Sequence, residues 1–531
     1  MGTHFPVDER RRSLLLSALS GAAIGMAGTP GPASSGGTHP SGMMPATGGA
    51  SPVPSHHAPV DLHLQLQVRP GQASILPGTK TRVWRYDGQV LKGDPGAFQT
   101  LPGSHLTVLR LRQGQSVRVD IRNELPEDTT VHWHGLHMPT DMDGQPRLPI
   151  APGASFTARF TVLDQPGTYW FHPHAHERVG YQVYHGLAGL LIVEPDGPSG
   201  LPEGDHDLPV IIQDRTFDSD QQLVFIPHGI PGRMDSINGF LGDRVLVNGR
   251  VDQTLQVASR PYRLRVLNGS NARIYKLAWS DGRPMTVIGT GSGLLPAPIE
   301  RPYITLAPAE RRELWVDLGA DPSGQALRLV SQAFDAGTVS STTGSSGNRL
   351  PLGSAFDIMR LQPDSNGDGS PKRPATHGSV PAWQASEAIN HERPRRFALE
   401  MNVAQFTING RLMQTGTEVE KDEIVSLNTS EVWEFENITM IPHPMHVHNV
   451  QFLVIAREPS SGSASRAGLG WAGLEEGLVD QGWHDTVLVM PGQRVRVLLR
   501  FQHFSGLYML HCHNLEHEDG GMMRYFLIKP S

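Results

Sequence analysis

From Pro59 onward the chain alternates short apolar stretches with turns rich in Gly and Pro. Leu62-His63-Leu64-Gln65-Leu66 puts an apolar residue at every second position, the period of a strand with one buried face. Val108-Leu109-Arg110-Leu111 and residues 156–162 read the same way, as do Val245-Leu246-Val247-Asn248-Gly249 and Tyr262-Arg263-Leu264-Arg265-Val266-Leu267. The 58 Gly and 43 Pro among 531 residues supply the turns that many short strands require. The expected fold class is all-β. At roughly 150 residues per domain the length predicts three domains rather than one core.

The pattern breaks at both places where a boundary is needed. Arg10-Arg11-Arg12 precedes a modest apolar run that begins at Ser13-Leu14-Leu15-Leu16, so residues 1–28 read as an export segment resembling a twin-arginine signal. Residues 29–58 are Gly, Pro, Ser and Thr with too little apolar surface for a core, and are expected to be a disordered linker. The three β units are placed at 59–197, 205–361 and 395–531, with a second linker at 362–394. Asp364-Ser365-Asn366-Gly367-Asp368-Gly369 imitates the start of a calcium loop, but Ala375 stands where the closing carboxylate is required, so this stretch reads as solvated linker. A formal charge of -7 gives no basic footprint for nucleic acid, and no apolar run in the body has the length of a membrane span. The mature chain is expected outside the cytoplasm, periplasmic or secreted, as a monomer.

One cysteine among 531 residues excludes an internal disulfide framework, whereas 25 histidines point to metal. Four segments concentrate them: His132-Trp133-His134-Gly135, His172-Pro173-His174, His443-Pro444-Met445-His446-Val447-His448, and His511-Cys512-His513 with His517 and Met522 beyond. Each contains His-x-His, and on a strand that spacing aims both imidazoles to one side. One such pair is commonplace on a solvated strand. Four pairs supply eight nitrogens, too many for one ion and suited to a cluster of several coppers with positions open to an outside ligand. The same alternation turns the Cys512 sulfur away from its two histidine neighbours. A copper thiolate centre needs two imidazoles, a thiolate and a weak thioether, and His443, Cys512, His517 and Met522 offer them.

These segments resemble the four copper-binding signatures of the multicopper oxidases, the family of laccases and bacterial cuprous oxidases. The likeness is strongest from His511 to Met523 and extends to chain order, two signatures near each end. It implies three cupredoxin-like Greek-key β-barrels and four coppers per chain. By that resemblance His132 and His446 hold a type 2 copper, and His134, His172 and His513 hold one type 3 copper. His174, His448 and His511 hold the other. His443, Cys512 and His517 hold the type 1 copper, with Met522 axial in preference to Met523.

The implied reaction couples one-electron oxidation of a small reducing substrate to reduction of dioxygen to water, with electrons entering at the edge of His443 or His517. Four protons are consumed, and Asp143 and Glu518 match the family's acidic residues beside the cluster. Cuprous oxidases of the family often carry a Met-rich insertion; from Ala336 to Trp383 the one methionine here is Met359, and Thr439 stands where some of them have an acidic substrate ligand. Met440 and Met445 lie close to His443 and keep the cuprous reading open. A laccase-like oxidation of phenols or aromatic amines is therefore expected. Copper storage and a non-enzymatic structural role on the same fold are the rivals, and the complete ligand set argues against the latter.

Overall fold

The computed structural model describes residues 59–531 apart from 198, 226–234, 320–324, 338–349, 365–377, 381, 403–404, 414–418 and 461–470. The export segment, the first linker and most of the calcium-loop imitation lie outside the described residues. The rest is built almost wholly of β-sheet, arranged as three successive pairs of sheets with cupredoxin-like topology.

The first pair is built on strand Leu62–Ala73, where Leu62, Leu64, Leu66 and Val68 all point into the core as the alternation predicts. That strand pairs antiparallel with Thr81–Lys92 on one side and parallel with Ser116–Asn123 on the other. The device recurs. Asp207–Arg215 lies between antiparallel Arg244–Val247 and parallel Pro261–Asn268, and Arg395–Asn402 lies between antiparallel Gln405–Ile408 and parallel Ser430–Asn437. The facing sheet of each pair also contains a parallel contact: Thr107–Arg112 with Gly189–Glu194, Thr254–Ala258 with Phe356–Asp364, and Ile424–Ser426 with Met523–Lys529. Parallel neighbours cannot be joined by a hairpin, so each barrel is closed by crossovers.

Two expectations shift by a few residues. Val245-Leu246-Val247 is strand, but Asn248 and Gly249 have φ of 52° and 73° and form the turn that lets Val247 bridge to Arg250. Positive φ at both central positions is what Asn-Gly accommodates. The second barrel also continues past residue 361, because Gln362, Pro363 and Asp364 pair with Gln256, Val257 and Ala258. The C-terminal part of the expected linker is not a free spacer either. Ala388 is buried against Val432 and Leu498, and the Asn390 side chain accepts from Val432 N–H and donates to its carbonyl.

A buried charge network fastens the middle barrel to the first. Glu313 accepts from Arg263 Nε at 2.9 Å, from Arg265 Nη1 at 3.0 Å and from the Thr168 hydroxyl of the first barrel at 2.6 Å, while Asp207 accepts from Arg265 Nε at 2.6 Å. Burial alone would raise the Glu313 carboxyl, but Arg263, Arg265 and Thr168 hold it below its ordinary 4.5. A carboxylate whose folded value is depressed adds stability that is fully present above 4.5 and fades as pH falls through the depressed value. Glu313→Gln should therefore cost about 3–5 kcal/mol at neutral pH, since two buried guanidinium groups lose a partner. Thermal unfolding of parent and variant between pH 7 and pH 3 checks it. The gap should narrow on the acid side, and equal unfolding temperatures at pH 7 would remove the network from the stability account.

Candidate metal centre

Strand Gly506–Cys512 lies in the third barrel between His443–Val447 and Met523–Lys529. The register sets Met445 opposite Cys512 and His446 opposite His511. Alternation then sends Cys512 and His511 to opposite faces of one sheet, as the sequence predicts. On the Cys512 face, Sγ is 3.5 Å from His443 Nδ1 and 3.5 Å from His517 Nδ1, and the three form a buried group. Met522 is buried in the same apolar cluster as Cys512, whereas Met523 packs with Met509 and Tyr525 in a different one. Burial pushes the Cys512 thiol far above its usual range, so a neighbouring cation is what would make it a thiolate.

On the opposite face the first and third barrels bring their histidines together. His132 pairs with His172 across two strands of the first barrel, and the cluster continues into His446, His448 and His511. His174 Nε2 is 3.3 Å and His448 Nε2 3.1 Å from His511 Nε2, and His134 Nδ1 is 3.4 Å from His172 Nε2. The His513 ring lies 5.1 Å from that of His134 and 5.2 Å from that of His172. Two nitrogens each about 2.0 Å from one tetrahedral ion stand about 3.3 Å apart, and a nitrogen and a sulfur about 3.5 Å apart. Both clusters have ligand spacing. Burial holds His134, His172, His174, His443, His446, His448 and His513 well below the ordinary imidazole value, which keeps them neutral with lone pairs available. Nε2 of His132, Nε2 of His446 and both ring nitrogens of His513 are buried with no hydrogen bond among the described residues. Copper fits this donor set, which is all imidazole on one face and imidazole, thiol and thioether on the other.

Of the four His-x-His pairs, only His132 and His134 lie wholly within a strand. The strands holding His172, His446 and His511 end at His172, Val447 and Cys512, so His174, His448 and His513 stand just past them. Pro173 cannot extend a ladder, and Asn449 turns the chain at φ 59°. The pairs still converge because the barrels, rather than strand geometry alone, place the outer rings.

Both expected carboxylates touch the cluster. The Asp143 carbonyl accepts from His132 Nδ1 at 2.7 Å, and its carboxylate Oδ2 lies 2.8 Å from His448 Nδ1. Glu518 reaches His511 Nδ1 at 3.1 Å and His174 Nε2 at 3.4 Å. Asp485 escaped the sequence reading. Its Oδ1 lies 3.0 Å from His134 Nε2, its carbonyl 2.8 Å from His446 Nδ1, and it accepts from Arg311 Nη1 of the middle barrel at 2.8 Å. Its trace in the sequence is an acid two positions before the apolar run Val487-Leu488-Val489, which does not by itself mark a role at a metal centre.

The expected point of electron entry is also covered. His443 is 0% and His517 1% exposed. His443 Nε2 is 2.8 Å from the Thr439 hydroxyl, and His517 Nε2 is 2.8 Å from the carbonyl of Ile237 in the short helix Asp235–Asn238. Neither imidazole edge opens directly to solvent, so a substrate meets this covering before it meets a ring.

Two sequence profiles described as multicopper oxidase match residues 67–198 and 388–531. A multicopper oxidase of Staphylococcus aureus is 31% identical over 86% of this chain and 86% of its own length. A laccase of Bacillus subtilis is 30% identical over 86% of this chain and 89% of its own. Among solved structures, the McoA multicopper oxidase of Aquifex aeolicus superposes with a TM-score of 0.73 at 31% identity, over 89% of this chain and 97% of that one.

The Asp143 position depends on the glycine after it. Gly144 has φ of 77°, and a Cβ there would fall 2.0 Å from the Val131 carbonyl oxygen and 2.7 Å from His132 N. Gly144→Ala should lose at least the about 1–3 kcal/mol of backbone strain and displace the loop that orients His132 and His448. Thermal unfolding and copper content per chain report the two effects; a variant with parental values for both would show that the loop does not fix these rings.

Proposed function

The chain belongs to the multicopper oxidase family, oxidoreductases that use copper and dioxygen, and we infer that it is an exported, laccase-like member acting on phenols or aromatic amines. His443, Cys512 and His517, with Met522 as the weak thioether, would hold the type 1 copper. His132 and His446 form the type 2 set, and His134, His172, His513 with His174, His448, His511 the type 3 pair, four coppers in all. Copper held in these sets supplies one-electron oxidation of the substrate at the Cys512 site and four-electron reduction of dioxygen to water at the histidine cluster.

The chain's own part is positional and protic. His511 and His513 are the covalent neighbours of Cys512, so backbone alone joins the two sites. Asp143 and Asp485 fix ring orientation through His132, His448, His134 and His446. Asp143 and Glu518 are the acids placed to hold and deliver protons at the cluster, Glu518 with both carboxylate oxygens turned toward His174 and His511.

The observation that carries the substrate class is the Thr439 hydroxyl against His443 Nε2 at 2.8 Å, a neutral group where some cuprous oxidases of the family have an acidic substrate ligand. Met445 supports it, being fully buried in the third core and closed to an incoming ion. Cuprous oxidation is the second reading, favoured by the soft thioethers of Met413, Met509 and Met523, which pack together. Met509 and Met523, however, share the sheet face of His511 rather than that of Cys512. Export by the twin-arginine route rests on Arg11-Arg12 and the apolar residues after them.

Oxygen uptake with a dimethoxyphenol, an aromatic diamine and cuprous ion, measured side by side, tests the substrate. The organic substrates should show the higher kcat/KM, and a preference for cuprous ion would sink the laccase reading. Asp143→Asn should slow oxygen uptake by roughly 10²-fold or more, the scale of a lost general acid. Bleaching of the blue band by substrate without oxygen should keep its parental rate. Slowed bleaching would instead put Asp143 on the substrate side.

A further inference from the structure

The geometry points to a second kind of metal site: His137 and His503 bind a divalent transition-metal ion, zinc or copper(II), at the seam between the first and third barrels. Neither residue belongs to the copper sets above. His137 follows strand His132–His134 in the first barrel, and His503 lies in the turn between Gln493–Arg500 and Gly506–Cys512 of the third.

Their ring centroids are 5.3 Å apart with planes at 77°. Neighbouring rings throughout the proposed copper clusters stand in the same range, both where they share an ion, as His443 and His517 at 5.1 Å and 55° or His448 and His511 at 5.2 Å and 61°, and where they serve adjacent ions, as His446 and His511 at 5.3 Å and 83°. The spacing leaves room for one ion between the two imidazoles.

The surroundings of His137 are those of a ligand. Its Nδ1 is 2.6 Å from Asp164 Oδ1, and the Asp164 side chain is 0% exposed. That carboxylate also accepts from the His137 main-chain N–H at 3.1 Å and from Gln451 Nε2 at 2.9 Å, so it cannot swing away. A carboxylate on Nδ1–H fixes the tautomer with the lone pair on Nε2 and raises its basicity, the arrangement behind most metal-bound histidines. No hydrogen bond from a described residue reaches Nε2 of His137 or either ring nitrogen of His503. His503 is exposed, so the site is open to ions from solution, and two protein nitrogens leave further positions to water. Asp164 contributes the negative charge that a dication favours.

The ion would tie the loop after His134 to the turn before His511. The same seam holds the bonds from Met138 N–H to Asn449 Oδ1 at 3.0 Å and from Tyr508 hydroxyl to the Met138 carbonyl at 2.8 Å. Occupancy should therefore stabilise the contact between the barrels that supply the histidine cluster.

The test is calorimetric titration with zinc chloride of the full chain, loaded with copper and then stripped of exposed copper by a brief wash with chelator, for the parent, His137→Ala, His503→Asn and Asp164→Asn. Asn is chosen at 503 because the backbone there has φ of 70°. The parent should bind one zinc more per chain than either histidine variant, and zinc should raise the unfolding temperature of the parent but not of those two. Asp164→Asn should weaken the same binding event roughly 10–100-fold. Equal stoichiometry in the parent and both histidine variants would overturn the site, as would loss in one histidine variant but not the other, which would assign the zinc to a single imidazole.

Discussion

Four histidines of the first barrel and four of the third must present neutral nitrogens to one buried volume, and most of the molecule is organised around that demand. Imidazole edges 3.1–3.4 Å apart in a dry interior are a poor arrangement for the protein alone, because each close pair has at most one shared proton to offset two desolvated lone pairs. The fold accepts that cost by fixing six of the eight rings from behind. Asp143, Asp485 and Glu518 each touch more than one histidine, so a few carboxylates align the cluster instead of eight separate contacts.

The middle barrel contributes none of these histidines, yet it is not a spacer. Arg311 reaches from it to Asp485, which grips His134 of the first barrel and, through its carbonyl, His446 of the third. A buried ion pair of this kind adds little net stability over an apolar substitute, since desolvation offsets most of its attraction. Its value lies in direction. Ser292 also donates to Asp485, so the carboxylate is held from the middle barrel in one orientation at the point where the other two barrels meet.

What could be read from the sequence follows the range of the interaction. Strand alternation acts over two residues, so the opposed faces of Cys512 and His511 were legible from His511-Cys512-His513 alone. The all-β class was legible for the same reason, from Leu62, Leu64 and Leu66. Asp485 was not, because its meaning comes from Arg311 and His134, 174 and 351 residues away. The cover over His517 was hidden likewise: Ile237 reaches it across 280 residues through a main-chain carbonyl, which carries no signature of its own. His174, His448 and His513 fall between these cases. Their spacing was visible, but their convergence past the strand ends depends on how two barrels pack.

That dependence bears on the order of assembly. The proposed type 1 set can be completed within the third barrel, since His443, Cys512 and His517 all belong to it. The cluster cannot, because each proposed type 3 set mixes histidines from barrels separated by the whole middle unit. Its donors come together only when the chain has folded across its full length, and metal binding there is linked to docking of the first barrel on the third. A route that exports folded protein, as proposed from Arg11-Arg12, suits such a site better than one that threads an unfolded chain. The seam that carries His137 and His503 is the one that must close for the cluster to exist.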